Sequence, residues 1–119
     1  SPIAGYLPAP TRLADWPSEP VTRVRAADHY LEVFTATGRR FIRGRMKDAL
    51  RELSGTEGIQ PHRSWWVATS TIKGTKRAGR DLVFVTHDDA EIPIARTRIP
   101  ALRGQGFFQP HDTKPPPAA

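Results

Sequence analysis

Hydrophobic and polar residues alternate with a period of about two through most of the central chain, and this period predicts β-strands. The segments concerned are rich in β-branched and aromatic residues, and short polar or glycine-containing breaks separate them. The strands predicted on this basis are residues 21–26, 30–36, 39–43, 65–72, 81–86 and 91–95. The basic segment 73–80 contains two glycines and is expected to be a strand end followed by a hairpin loop.

The period changes to that of a helix over residues 44–54. Four apolar residues there fall at i, i+3, i+4 and i+7, which is one face of a helix: Met46, Ala49, Leu50 and Leu53. Gly55 follows at a position suited to stopping this helix. A second, short helix is expected from Thr97 to Leu102, where the threonine is placed to cap it and Pro100 is tolerated in the first turn.

Both ends of the chain differ in composition from its centre. Residues 1–20 contain five prolines among apolar residues, so we expect an N-terminal arm or linker remnant that packs on the body. Residues 109–119 carry too few apolar side chains to order themselves, and they predict a disordered tail. Between them lies one domain over residues 21–108, mainly β and meander-like, with one inserted helix and a short C-terminal helix.

Composition makes the chain strongly basic. Its 119 residues include 18 Lys and Arg against 12 Asp and Glu, a formal net charge of +6. This charge favours a polyanionic partner such as nucleic acid, although a basic surface without a partner gives the same total. The absence of cysteine excludes disulfides and thiolate metal sites. No apolar run approaches the roughly 20 residues that span a bilayer.

Three polar residues on predicted loops stand beside strand-like runs at near-equal spacing: His29, Arg63 and Arg96. Loops that follow several strands can line one edge of a β-structure, which would bring these side chains to a common surface. An arginine presents five donors in a fixed fork suited to phosphate oxygens or guanine edges, and an imidazole can donate to or accept from a base edge. The pattern favours contact with a DNA duplex.

Further candidates lie close to these three residues in the sequence. Ser64 can add a phosphate contact beside Arg63, and Arg98 lies on the turn expected after Arg96. Lys73 begins a basic stretch that can touch phosphates flanking the site, and a second basic stretch covers residues 39–47. A solvated face is the ordinary alternative for both stretches.

Each of the three main candidates also has an ordinary alternative. Arg63 can pair with a surface carboxylate, and Arg96 can pair with Asp28 or stack on a tryptophan. A lone loop histidine such as His29 is more often a residue without a role, and in this chain Asp28 can either orient its imidazole or cap the turn.

Catalytic and metal-binding patterns are missing from the sequence. It has no glycine-rich phosphate loop, nucleophile elbow or His-Glu metal motif. The histidines are scattered rather than set at ligand spacing. We therefore expect neither an enzyme nor a protein that holds a metal or another cofactor.

Three segments, in their order and spacing, resemble the LytTR DNA-binding domain of bacterial transcription regulators. They are Asp28-His29-Tyr30, His62-Arg63-Ser64-Trp65-Trp66-Val67 and Ile92-Pro93-Ile94-Ala95-Arg96. The resemblance covers residues 21–102, and the predicted helix around residues 46–53 falls where that family has one.

The resemblance implies short antiparallel sheets stacked side by side, with loops that enter successive major grooves on one side of a duplex. It suggests His29 and Arg96 as base contacts and Arg63 as a contact between them, mainly to the backbone. Binding of two copies to a repeated site is also implied, so that a homodimer can form on DNA. Since the chain begins at Ser1, we expect a fragment that lacks a receiver or membrane segment.

Two other functions remain open at this stage. The domain can be a protein-interaction module whose DNA-facing surface a regulatory partner covers. Alternatively, Trp65 and Trp66 can form a stacking platform for single strands, although alternation places them on opposite faces of a strand and a small β-domain needs their volume in its core. For a transcription regulator we expect a cytoplasmic location, with a parent protein that could be tethered to a membrane.

Overall fold

The computed structural model describes residues 16–106. The predicted N-terminal arm lies outside this range apart from residues 16–20, and the predicted tail lies wholly outside it. The elements of the described part are β1 Val21–Ala27, β2 Tyr30–Thr35, β3 Gly38–Arg43, α1 Met46–Glu52, β4 Gly58–His62, β5 Trp65–Ala68, β6 Ile72–Ala78, β7 Asp81–Thr86, β8 Glu91–Pro93 and α2 Ile99–Gly104.

The strands form two antiparallel sheets. The larger has the order β3-β2-β1-β5-β4, and the smaller has the order β6-β7-β8. A 3₁₀ turn over Thr69–Thr71 carries the chain from β5 of the larger sheet to β6 of the smaller one. The prediction of a mainly β fold with short antiparallel sheets, an inserted helix and a short C-terminal helix is confirmed.

One face of the larger sheet packs against α1. Alternate residues of the central strands point to this side and are fully buried, as Val24, Leu31 and Ile42 show. The helix supplies Met46 and Ala49 from the apolar face that the sequence predicts. Burial of these side chains, at roughly 1.5–3 kcal/mol for each large one, holds the helix on the sheet.

On its opposite face, the larger sheet packs against the smaller sheet through Ile59 of β4 and Trp65 of β5. Its core centres on Phe84 and Ile92, which are fully buried, and α2 adds Leu102. Trp66 belongs to the core beneath α1, whereas Trp65 packs half-buried into the core between the sheets. The expectation that the two indoles face opposite sides of one strand is confirmed, and neither forms an open stacking platform.

Gly58, the first residue of β4, lies closer to the core than a side chain would allow. A Cβ atom there would lie 2.6 Å from Cε2 of Trp66 and 2.8 Å from the carbonyl oxygen of Val67. Both distances are shorter than van der Waals contact, and the indole is buried. Glycine therefore lets β4 pair closely with β5 over the tryptophan ring.

Four local predictions need correction. β4 was not predicted, because it is short and contains Pro61, which lacks a donor for the ladder. The predicted strand 65–72 consists of β5, a 3₁₀ turn and the first residue of β6. Segment 73–80 is mostly the edge strand β6, and its hairpin turn is confined to residues 79–80. Thr97 is not a cap, since it lies within a 3₁₀ turn over Arg96–Arg98 and α2 begins after Arg98.

Candidate nucleic-acid interface

The first candidate, His29, occupies the two-residue loop between β1 and β2. Asp28 has a left-handed φ of 43°, which Asp tolerates and a tight hairpin requires. The carbonyl oxygen of His29 accepts a hydrogen bond of 3.1 Å from the backbone N–H of Gly44, which ties the loop to the segment before α1. The imidazole is exposed and, among residues 16–106, has no hydrogen-bond partner, Asp28 included.

The second candidate, Arg63, stands at the turn between β4 and β5. The Ser64 backbone N–H donates to Nδ1 of His62 at 3.1 Å, and the side-chain amide of Gln60 donates to the Arg63 carbonyl oxygen at 3.2 Å. These bonds fix the turn from both sides. The Arg63 side chain is exposed, and within the described range it has no hydrogen-bond or ion-pair partner, so the alternative of a surface carboxylate pair is not realised there.

The first two loops lie at the same end of the larger sheet. β1 and β5 are antiparallel neighbours in which Arg25 faces Trp65, so the end of β1 meets the start of β5. One residue further on, the Ala26 backbone N–H donates to the Ser64 carbonyl oxygen at 2.8 Å. This pairing sets His29 and Arg63 on adjacent loops although they are distant in sequence.

The third candidate, Arg96, begins the 3₁₀ turn that follows β8. The Ala95 backbone N–H donates to the Pro61 carbonyl oxygen at 2.8 Å, and Nη1 of Arg98 donates to the Gln60 carbonyl oxygen at 2.9 Å. Both bonds fasten this turn to β4, immediately before Arg63. We call residues 28–29, 63–64 and 96–98 the tip loops, because the structure brings all three to one end of the domain.

Arg96 has one ion-pair partner among the described residues, and it is neither Asp28 nor a tryptophan. Its Nη2 lies 3.3 Å from Oδ1 of Asp81, with 72% and 62% of the two side chains exposed. A surface pair of this kind contributes about 0–1 kcal/mol. The guanidinium can therefore exchange the carboxylate for a phosphate or a base edge at little cost.

The remaining candidates are placed differently from one another. Ser64 is half-buried in the second tip loop, with its backbone in the turn described above. The part-buried guanidinium of Arg98 donates to the Gln60 carbonyl oxygen of β4, so this side chain holds the third loop on that strand. Lys73 is exposed on β6 and pairs with Asp89 at 2.8 Å, away from the tip loops.

Lys73 lies at the opposite end of the domain. Two residues earlier, the Thr71 hydroxyl donates to the carbonyl oxygen of Thr22, next to the start of β1, and the Thr71 carbonyl oxygen accepts from the His87 backbone N–H at 3.0 Å. The tip loops lie beyond the other end of β1. The structure thus separates Lys73 from the other five predicted site residues.

A carboxylate at this far end titrates abnormally. Asp88 accepts a hydrogen bond from the Thr86 hydroxyl, and it pairs with Nη1 of Arg23 at 3.0 Å. The hydroxyl contact first, and then the guanidinium, hold the pKa of Asp88 below its usual range. The Arg23 guanidinium also lies 4.1 Å from the centre of the Phe34 ring, so this ion pair forms part of the packing at that end.

The two basic stretches are evident in the sequence, but their positions in the fold are not. Arg43, Arg45 and Lys47 surround the loop of His29, and Arg77 and Arg80 lie beside Arg96. The sequence shows each of these stretches only as a run of positively charged residues. Which cations reach the tip-loop end depends on strand pairing, which a local pattern does not contain.

Two antiparallel sheets on a basic chain, with imidazole and guanidinium groups at one end, are the features that we expect of a β-type DNA-binding domain. Residues 14–106 match the family profile described as the LytTr DNA-binding domain, and the chain belongs to that family. Its function is DNA binding in transcription regulation, and the family is not a catalytic one. The family prediction made from the sequence is confirmed.

A solved structure supports the same fold. The chain is similar to the LytTr DNA-binding domain of a methyl-accepting/DNA response regulator from Bacillus cereus, with a TM-score of 0.64 and 17% sequence identity. The match covers 74% of this chain and 82% of that one. No curated protein matches the chain. Between residues 16 and 106, no helix is both long and apolar enough to cross a bilayer.

Proposed function

We propose that the domain recognises a specific double-stranded DNA sequence by laying its three tip loops along one side of the duplex. His29 and Arg96 contact base edges in successive major grooves, and Arg63 contacts the backbone between them. The observation that carries this proposal is the common position of the three loops, which backbone hydrogen bonds tie to β1 and β4.

Electrostatics supports the same assignment. The exposed guanidinium of Arg63 and the exposed imidazole of His29 have no partner among residues 16–106, so neither must give up an internal bond to meet DNA. Arg96 gives up only an exposed pair. Each phosphate that a cation neutralises releases counterions, so affinity falls steeply as salt concentration rises.

Replacement of Arg96 tests the base contact. Arg96→Ala is expected to cost about 1–3 kcal/mol on the preferred duplex and to relax preference at one base pair, as the loss of a bidentate contact does. Lys73→Ala is the matched control, because it removes the same charge at the far end and should leave binding unchanged. Unchanged affinity and preference in Arg96→Ala would refute the role.

Replacement of Arg63 tests the backbone contact. Arg63→Ala should weaken binding to the preferred duplex and to random duplexes by the same factor, since a phosphate carries no sequence information. The measurement is a pair of equilibrium titrations with the two duplexes. A loss confined to the preferred duplex would contradict the assignment to the backbone.

The preferred duplex is obtained by selection from a random pool, and its form tests the number of copies. We propose that two copies bind a repeated site, so the selected duplexes should contain two repeats and bind two chains, as measured by analytical ultracentrifugation. A pool that retains no enriched sequence would contradict the proposal and favour a protein-interaction module covered by a regulatory partner.

A further inference from the structure

Most cations away from the tip loops have a carboxylate partner within the described residues. Lys76 pairs with Glu91 at 2.6 Å, and Lys73 pairs with Asp89. The buried Glu32 pairs with Arg39 at 2.7 Å and also with Arg25, which lies nearer the tip loops, at 3.2 Å. On these faces the positive charge is offset internally.

The pattern reverses near the tip loops. Five exposed cations there have no hydrogen-bond or ion-pair partner among residues 16–106: Arg43, Arg45, Lys47, Arg77 and Arg80. Arg51, in the last turn of α1, is a further unpaired cation in that range and lies outside both groups described next. Unpaired charge is therefore concentrated at the end proposed to meet DNA.

These cations line two concave surfaces, one beside each outer tip loop. The His29 hollow, of about 360 Å³, is lined by His29 with Arg43, Arg45, Lys47 and Asp48. The carboxylate of Asp48 accepts the Arg45 backbone N–H at 3.0 Å, at the start of α1. Three exposed cations thus face a single acid that is already engaged in the helix start.

The second concave surface is more basic. The Arg96 hollow, of about 340 Å³, brings together four arginines and one acid: Arg77, Arg80, Arg96, Arg103 and Asp81. Asp81 is engaged by Arg96, and Arg77 and Arg80 have no partner within residues 16–106, which leaves the hollow with an excess of positive charge. Arg77 and Arg80 come from the β6–β7 hairpin, and Arg103 comes from α2, so segments that are distant in sequence line this hollow.

We infer that both hollows hold backbone phosphates of the duplex on either side of the segment that the tip loops contact. Guanidinium and ammonium groups are the side chains that phosphodiesters attract most strongly, and a concave arrangement lets several share one phosphate. The inference rests on the proposed function and extends it. The domain then contacts the duplex backbone at two outer points. Arg96 can contact base edges while the other cations of its hollow bind the phosphate.

The dependence of DNA affinity on salt concentration measures these phosphate contacts directly. Arg80→Ala in one hollow and Lys47→Ala in the other should each lower the slope of log affinity against log salt by about one, and the double variant by about two. Between 50 and 200 mM salt, roughly, each variant then loses about 3- to 4-fold less affinity than wild type. Arg51→Ala is the matched control and should keep the wild-type slope.

Neutral linkages locate the phosphates. The wild-type protein should bind more weakly to a duplex in which one flanking phosphate is replaced by a methylphosphonate. For the Arg80→Ala variant, the same replacement at the position facing the Arg96 hollow should cause no further loss of affinity. Wild-type slopes in both variants, or fully additive losses at every position, would overturn the inference. Circular dichroism confirms that the variants are folded.

The same chemistry could serve a free anion instead of DNA. Saturable NMR shifts around Arg80 on titration with inorganic phosphate, together with an unchanged DNA salt slope, would assign the hollow to that anion and overturn the DNA assignment. If the Arg80 and Lys47 variants lower the salt slope but Arg96→Ala keeps the wild-type sequence preference, the phosphate contacts of the hollows are supported and the base contact of Arg96 is refuted. Absence of any DNA binding would refute both.

Discussion

The substitution Gly58→Ala tests whether the close approach of β4 to the core is as tight as the structure indicates. Its methyl group would lie 2.6 Å from Cε2 of Trp66 and 2.8 Å from the Val67 carbonyl oxygen. The indole is held by the core beneath α1, and the carbonyl belongs to the neighbouring strand. Neither neighbour is the free end of a flexible side chain, so β4 itself must shift.

The expected cost follows from these neighbours. Overpacking a well-filled core costs about 1–3 kcal/mol, and a rigid ring with a backbone atom on the other side places this site at the upper part of that range. For a domain of this size a loss of about 2–3 kcal/mol lowers Tm by roughly 10–20 °C. Since β4 leads into the turn that carries Arg63, DNA affinity should fall as well.

Thermal unfolding followed by circular dichroism measures this cost. Gly74→Ala is the matched control, because it adds the same methyl group to a strand at a position with open space, and its Tm should stay near the wild-type value. Trp66→Phe removes the ring atoms that meet the new methyl group. Gly58→Ala combined with Trp66→Phe should therefore be less destabilised than the sum of the single changes, by about 0.5–3 kcal/mol.

Two results would refute the reasoning. A Tm for Gly58→Ala close to that of Gly74→Ala would mean that β4 has room for a side chain. Full additivity of Gly58→Ala with Trp66→Phe would mean that the cost arises elsewhere than at the indole.

Two further predictions concern other polar contacts. Asp88→Asn should lower Tm modestly at neutral pH. The contacts that lower the pKa of Asp88 stabilise the folded state above the pKa of an unfolded aspartate, which is about 4. This contribution is lost as pH falls through the pKa of the folded state. His62→Ala removes the acceptor for Ser64, so affinity for all duplexes should fall by about 1 kcal/mol, whereas His62→Asn keeps an acceptor. A Tm gap for Asp88→Asn that persists in acid, or equal losses for both His62 variants in DNA titrations, would contradict these assignments.

The elements best predicted from the sequence are those whose signal is local. Residues 81–86 form β7 as predicted, and the apolar spacing around Ala49 gives α1, although the helix is shorter at both ends than predicted. The continuous strand predicted over residues 65–72 failed, since membership of one sheet or another depends on distant partners. β4 was not predicted because it contains Pro61, which is unfavourable in a strand. Its pairing with β5, which a local pattern does not show, holds it in the sheet.

The candidate site shows the same division. Residue types and spacing selected His29, Arg63 and Arg96, and the family was recognised from the segments around them. Their common position depends on the antiparallel pairing of β1 with β5 and on the bonds from Ala95 and Arg98 to β4. Lys73 looked equivalent in the sequence, but β6 begins at the far end and carries it there.

His29 and Arg63 belong to the larger sheet, whereas Arg96 follows the last strand of the smaller one. The interval between His29 and Arg96 therefore depends on how the two sheets are joined: by the apolar layer where Trp65 and Ile59 pack, and by the bond from the Ala95 N–H to the Pro61 carbonyl oxygen. Under the proposed function, a change of volume in that layer would alter the spacing of DNA contacts that the protein fits, with His29, Arg63 and Arg96 left intact. Substitutions in the interior could then change DNA preference without any change at the DNA-binding surface.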